Sequence, residues 1–306
     1  MDVQILEPIT FAASMVTACS VAEPDATTGE AAWAAATVYA IGDEVVRTTT
    51  HRVYAALASG ADAGLPEDTP LRWFDTRPSN KYAAWDQYRN TATTSTATLT
   101  QTFKPGIITG LQFFGLVGDT IRVVCKNADT LATYYDQTTS LAYYLSGDLM
   151  WEFYFGSPRQ QDGLRISGLY PQNAQVEITI TVSTATATAA VGLISAGSWA
   201  ALGLPKIGFT AKPVDYSQIK ADRYGNVEII AGLSAKNITG DCVMLNLSDA
   251  QAAADVVYRL LGTPCAVVVS DVLGYDYLNA FGLVSADITP AGGNLTNFAL
   301  NIRGMI

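Results

Sequence analysis

Five aromatic rings, Trp33, Tyr39, Tyr54, Trp73 and Phe74, fall between positions 33 and 74 around a Gly42-Asp43 turn. Rings of this kind stack on the C–H face of a sugar, while neighbouring polar groups hydrogen-bond its hydroxyls. A sugar platform needs several coplanar, exposed rings. So small a segment also needs rings for its own core. Tyr39, Tyr54 and Trp73 are expected to supply that core. Trp33 is then the candidate for an exposed platform, with Phe74 beside it.

Other chemistry finds few residues to use. The chain holds one histidine, His51, in Thr48-Thr-Thr-His51-Arg-Val-Tyr54, so any histidine-dependent triad would rest on a threonine-rich strand. Gly192-Leu-Ile-Ser195-Ala-Gly197 lacks the glycine that a nucleophile elbow places two residues before its serine. No phosphate-binding loop or dinucleotide fingerprint occurs. The acids available for a glycosidase pair mostly sit beside turn glycines, as Asp43, Asp119, Asp162 and Asp241 do. Cys19, Cys125, Cys242 and Cys265 are too far apart in sequence for metal-ligand spacing. The expectation is a protein without catalysis, metal or cofactor.

The elements that would position these residues are mostly strands. Residues 38–46 and 51–57 read as short strands about the Gly42-Asp43 turn, and residues 71–75 as a closing strand. Residues 94–103 alternate threonine with small and apolar residues. Residues 111–117 and 120–126 flank Gly118-Asp119 and predict a hairpin. Val176-Glu-Ile178-Thr-Ile180-Thr-Val182 alternates as a half-buried antiparallel strand must. Residues 207–209 and 227–230 are further strand candidates. Ser248-Asp249 is expected to cap a helix whose apolar positions 253, 256, 257, 260 and 261 share a face, stopped by Gly262-Thr-Pro264. Residues 265–270 and 298–302 follow as strands.

Composition agrees with a folded, multi-part chain. Of 306 residues 49% are hydrophobic and 15% charged, and the net charge of −10 disfavours nucleic acid as a partner. No apolar run reaches the roughly 18 residues of a membrane span. Val16-Thr17-Ala18-Cys19 has the look of a lipoprotein cleavage site, but no Lys or Arg precedes Arg47, and a signal peptide is not expected.

The segment 32–75 resembles the small chitin- and cellulose-binding modules of polysaccharide hydrolases. It matches in Trp33, Tyr39, Gly42-Asp43, Val45, Tyr54, Pro66 and Trp73. It departs in Tyr54-Ala-Ala-Leu57-Ala, where those modules carry a further ring of the stacking platform. Downstream, Pro78-Ser-Asn80-Lys81-Tyr82-Ala-Ala-Trp85-Asp86, a threonine-rich strand, Tyr216-Ser217, Arg223-Tyr-Gly225-Asn226-Val227 and Leu261-Gly-Thr-Pro264 follow in an order similar to tail-tip or baseplate proteins of tailed bacteriophages. That resemblance implies a virion structural protein made in the host cytoplasm. It also implies assembly with other tail proteins as a homo-oligomer (a trimer or hexameric ring) and contact with host-surface polysaccharide during adsorption.

The expected fold is mainly β. It comprises an extended N-terminal segment (1–31), a small carbohydrate-binding-module-like domain (32–78), an antiparallel β-sandwich of jelly-roll type (79–192) and a C-terminal β-rich α+β tail-assembly domain with one helix (193–306). The competing readings are a free, secreted carbohydrate-binding accessory protein and an enzyme acting on cell-envelope polysaccharide.

Overall fold

The structure is a computed structural model that describes residues 2–61, 64–143, 154–156, 159–169, 175–221, 223, 227–272 and 274–305. It is mainly β with one long helix, as its alternating sequence predicts.

Six antiparallel strands close on themselves. In order round the ring they are Leu193–Pro205, Val3–Pro8, Cys265–Val268, Ala280–Gly292, Leu295–Gly304 and Ser234–Met244. Closure is made by Leu204 opposite Val243 and Pro205 opposite Cys242. A closed ring leaves no free edge. Alternation supplies its filling: on Leu295–Gly304 the residues Phe298, Leu300 and Ile302 are buried, while Ala299, Asn301 and Arg303 face out. The Leu247–Arg259 helix lays Ala250, Ala253, Val256 and Val257 against the same core. Asn246 stands at its N-cap position, where Ser248 was expected.

The first strand is a finding that its sequence hides. Residues 1–31 read as a lead-in, yet Val3–Pro8 pairs on both sides within the barrel, and Val3, Ile5 and Leu6 are fully buried. Its short apolar run is what a strand flanked on both edges requires.

A second core lies between two sheets. One sheet runs Thr133–Ser140, Thr120–Asn127, Val176–Val191, Thr93–Phe103 and Val16–Cys19. The other is formed by Gly163–Ser167, Gly110–Phe114 and the first five residues of Leu193–Pro205. Leu99, Phe103, Leu111, Phe113, Ile121, Ile178, Ile180 and Ile194 fill the space between them. The strand from Leu193 therefore starts in the sandwich and ends in the barrel. It changes partner at Gly197, where a side chain would collide with the Glu7 carbonyl.

Two local expectations are corrected. Gly110–Phe114 and Thr120–Asn127 do not form a hairpin. They belong to opposite sheets, and Gly118-Asp119 carries the chain across, fixed by the Asp119 N–H donating to the Ser183 carbonyl (2.8 Å). Ile207-Gly208-Phe209 is a turn, with Gly208 at φ 118°, and the strand begins at Thr210. Of the aromatic run at 151–155, the first three residues lie outside the described residues, as do 224–226 of the Arg223–Val227 motif, and Tyr154 and Phe155 are exposed.

Candidate functional site

The aromatic segment folds as a three-stranded sheet, Glu44–Arg47, Arg52–Ala56 and Trp73–Pro78, beside a short pair, Val38–Tyr39 with Gly60–Ala61. Gly42 takes φ 90°, which a side chain would resist, and lets the chain reverse. The Asp43 carboxylate accepts from the Ala40 N–H at 2.7 Å, and the Gly42 N–H donates to the Ala56 carbonyl at 2.8 Å. This turn brings Tyr39 onto Trp73, edge to face at 5.2 Å and 75°.

Three of the five candidate rings form the core. Tyr39, Tyr54 and Trp73 are buried with Val45 and Ala56. The Tyr39 hydroxyl accepts from the Ala34 N–H (2.9 Å) and donates to its carbonyl (3.3 Å). Trp33 is half-buried against this cluster. The Arg47 guanidinium lies 4.8 Å from its ring centroid, and Glu67 holds Arg47 through two hydrogen bonds of 3.0 and 2.9 Å. Those bonds draw the Glu67 carboxyl below its ordinary value, against the effect of burial. The Trp33 indole N–H is itself buried and has no acceptor among the described residues. Phe74 is 59% exposed but follows inward-facing Trp73, so it points from the opposite side of the sheet. The structure therefore separates Trp33 from Phe74 and does not assemble the five rings into one plane.

A polar junction, whose acids come from the segment expected to be an extended lead-in, ties the module to the sandwich. Glu23, Asp25 and Glu30 have buried side chains or lie in buried positions. The Ser79 hydroxyl donates to Glu23 at 2.7 Å, and His51 Nδ1 lies 2.9 Å from the other Glu23 oxygen. Asn80 is the hub. Its amide donates to Asp25 (2.6 Å) and to the Thr94 carbonyl (3.0 Å), and its backbone N–H donates to Glu30 (2.7 Å). Thr94 N–H returns a bond to the Asn80 side-chain oxygen at 2.8 Å. Burial opposes ionisation of Asp25, but hydrogen bonds from Thr27, Asn80 and Thr28 outweigh it and hold the carboxyl below its ordinary value. His51 is thus a partner of a buried acid and sits 4.1 Å from the Tyr82 ring. The junction's acids are spent on internal donors, an arrangement suited to fixing two bodies together. No local pattern marks it, since its members are spread from Glu23 to Thr94.

Outside both cores stands a two-stranded arm, Gln218–Ala221 with Val227–Ile230, every described residue of which is exposed. Ile219 lies opposite Ile229 and Ala221 opposite Val227, so these four share one face. Lys220 opposite Glu228 lies on the other face, with Gln218 and Ile230. Among the described residues, none covers the arm's apolar side.

Among the described residues, no group of three or more His, Cys, Asp or Glu is placed to hold a metal ion, and no helix is long and apolar enough to cross a membrane. Comparison with protein-family models, with curated proteins and with solved structures finds no match.

Proposed function

We propose that this protein is a structural component of a bacteriophage tail tip or baseplate, assembling with copies of itself and with other tail proteins and touching host-surface glycans during adsorption. The observation that carries the assembly half of this reading is the amphipathic arm. Ile219, Val227 and Ile229 are 72%, 60% and 68% exposed on one face of a hairpin that packs on neither core. A lone two-stranded ribbon is marginal in water, and an apolar face kept on such a ribbon is the signature of a surface covered by a partner. The six-stranded ring itself has no free edge, so assembly would use the arm and the open edges of strands at the sheet ends, such as Thr210–Asp215 beside the barrel and Thr133–Ser140 in the sandwich. In this reading the molecule acts by fitting neighbours and has no catalytic step.

The tail setting itself rests on the resemblance in order and spacing of the downstream motifs. The glycan contact rests on the module, whose exposed Phe74 is the ring most open to a sugar. The rival reading, a free carbohydrate-binding accessory protein without catalysis, leaves the arm's apolar face without a purpose. Mass and symmetry of the full chain separate the two. A trimer or hexameric ring that is lost when Ile219→Asp and Ile229→Asp are combined supports the structural role. A monomer at every concentration, with affinity for glycans, sinks it.

A further inference from the structure

The acidic chain gathers two cations at one cavity. Lys236 lies on Ser234–Met244, two residues before Ile238 and six before Cys242, which point into the barrel core, so period-two alternation places it at the barrel mouth. Arg89 approaches from the sandwich side, its guanidinium 5.8 Å from the Phe114 ring centroid and paired with Asp162. Both line a cavity of about 630 Å³, together with Asn90, Ser234, Tyr277 and Phe281. The volume is that of a small-molecule site, and barrel mouths are a common place for one.

The polar groups in this cavity are largely unspent. Lys236 donates one hydrogen bond, to the Asp276 carbonyl at 3.2 Å, which leaves further N–H groups of its ammonium for a ligand. Asn90, Ser234 and Tyr277 make no side-chain hydrogen bond among the described residues. The nearby Asp276 carboxylate accepts from the Tyr143 hydroxyl at 3.4 Å, and Asp162 is engaged by Arg89. What the cavity presents is positive charge, hydroxyl and amide groups, and an aromatic wall.

We propose that the barrel mouth binds a small anionic sugar through its carboxylate or phosphate, with Lys236 and Arg89 holding the oxyanion, and Ser234, Asn90 and Tyr277 meeting its hydroxyls. The proposal concerns a different part of the molecule from the aromatic module and stands apart from the tail reading.

Titration calorimetry on the full chain at low salt tests it, using glucuronate, glucose 6-phosphate and uncharged glucose as probes. At least one anion should bind, and glucose should bind about tenfold or more weakly, as the loss of a charge-assisted hydrogen bond implies. Binding of glucuronate alone assigns the site to sugar acids, and binding of glucose 6-phosphate alone assigns it to sugar phosphates. Lys236→Met should weaken the anion about tenfold or more, while Lys236→Arg stays within about threefold. Ser234→Trp, at an exposed position, should close the mouth without unfolding the chain, and it decides the matter if Lys236→Met does not fold. Heat from neither anion at millimolar concentration would overturn the site. So would equal binding of glucose, or anion binding untouched by Ser234→Trp.

Discussion

The guanidinium of Arg47 lies 4.8 Å above the ring of Trp33, clamped there by Glu67. This pairing decides how the aromatic module meets solvent, because the ring that would serve as its platform already carries a cation on one face. A cation over an indole and a partly screened ion pair each contribute on the order of 1 kcal/mol. Arg47→Ala should therefore lower the unfolding free energy by roughly 1–2 kcal/mol, summing those two contacts. It should also uncover Trp33, which acrylamide quenching of tryptophan fluorescence would register. Unchanged quenching would mean that the cap is not formed in solution.

Asn80 offers a sharper test of the junction. Removing its amide leaves Asp25 short of a donor in a buried setting, and the loss also breaks the exchange with Thr94. Asn80→Ala should cost about 2–4 kcal/mol in urea unfolding. A loss below about 0.5 kcal/mol, the scale of an ordinary surface substitution, would show that the network is slack.

The same network sets an acid limit. The folded carboxyl of Asp25 is held below its ordinary value of 3.8, so the unfolded chain takes up the proton first as pH falls. Its contribution is complete above that value and is lost as pH drops through the folded one. Melting temperature should therefore decline below about pH 4, and the decline should be shallower in Asn80→Ala. Equal slopes in the two proteins would contradict the assignment.

Lys236 predicts a second rise of stability with pH, on the alkaline side. Burial, aided by the Arg89 charge and resisted by Asp276, pushes its ammonium from 10.5 down to about 8. The folded form then disfavours the proton that the unfolded chain keeps, so stability from this group rises with pH from about 8 to 10.5 and is flat outside that window. Lys236→Met should melt higher than the parent at pH 7, and the gap should close by pH 10.5. A gap that persists unchanged across the window would remove the charge as its cause.

For the arm, the sedimentation coefficient of the full chain should fall when Ile219→Asp and Ile229→Asp are combined, with the far-ultraviolet circular dichroism unaltered. Both residues are exposed, so their replacement should change the fold's stability by no more than about 0.5 kcal/mol. Loss of the β signal would mean that the arm belongs to the fold and not to an interface.

The chain's own pattern determined its local structure. Alternation marked residues 176–182 and 298–302, which lie within the strands Val176–Val191 and Leu295–Gly304, helical spacing after Ser248 marked most of Leu247–Arg259, and the density of rings picked out Tyr39, Tyr54 and Trp73 as a small core. These features follow from neighbours a few positions apart, and such neighbours are readable in order. Tertiary structure alone decided who stands beside whom. Val3–Pro8 joins strands that begin at Leu193 and Cys265, Leu204 meets Val243 to shut the barrel, Arg47 covers Trp33, and Asn80 collects acids from the N-terminal segment. Partners of that kind are chosen by burial and hydrogen-bond satisfaction across the whole molecule, and no window of sequence contains both members of the choice.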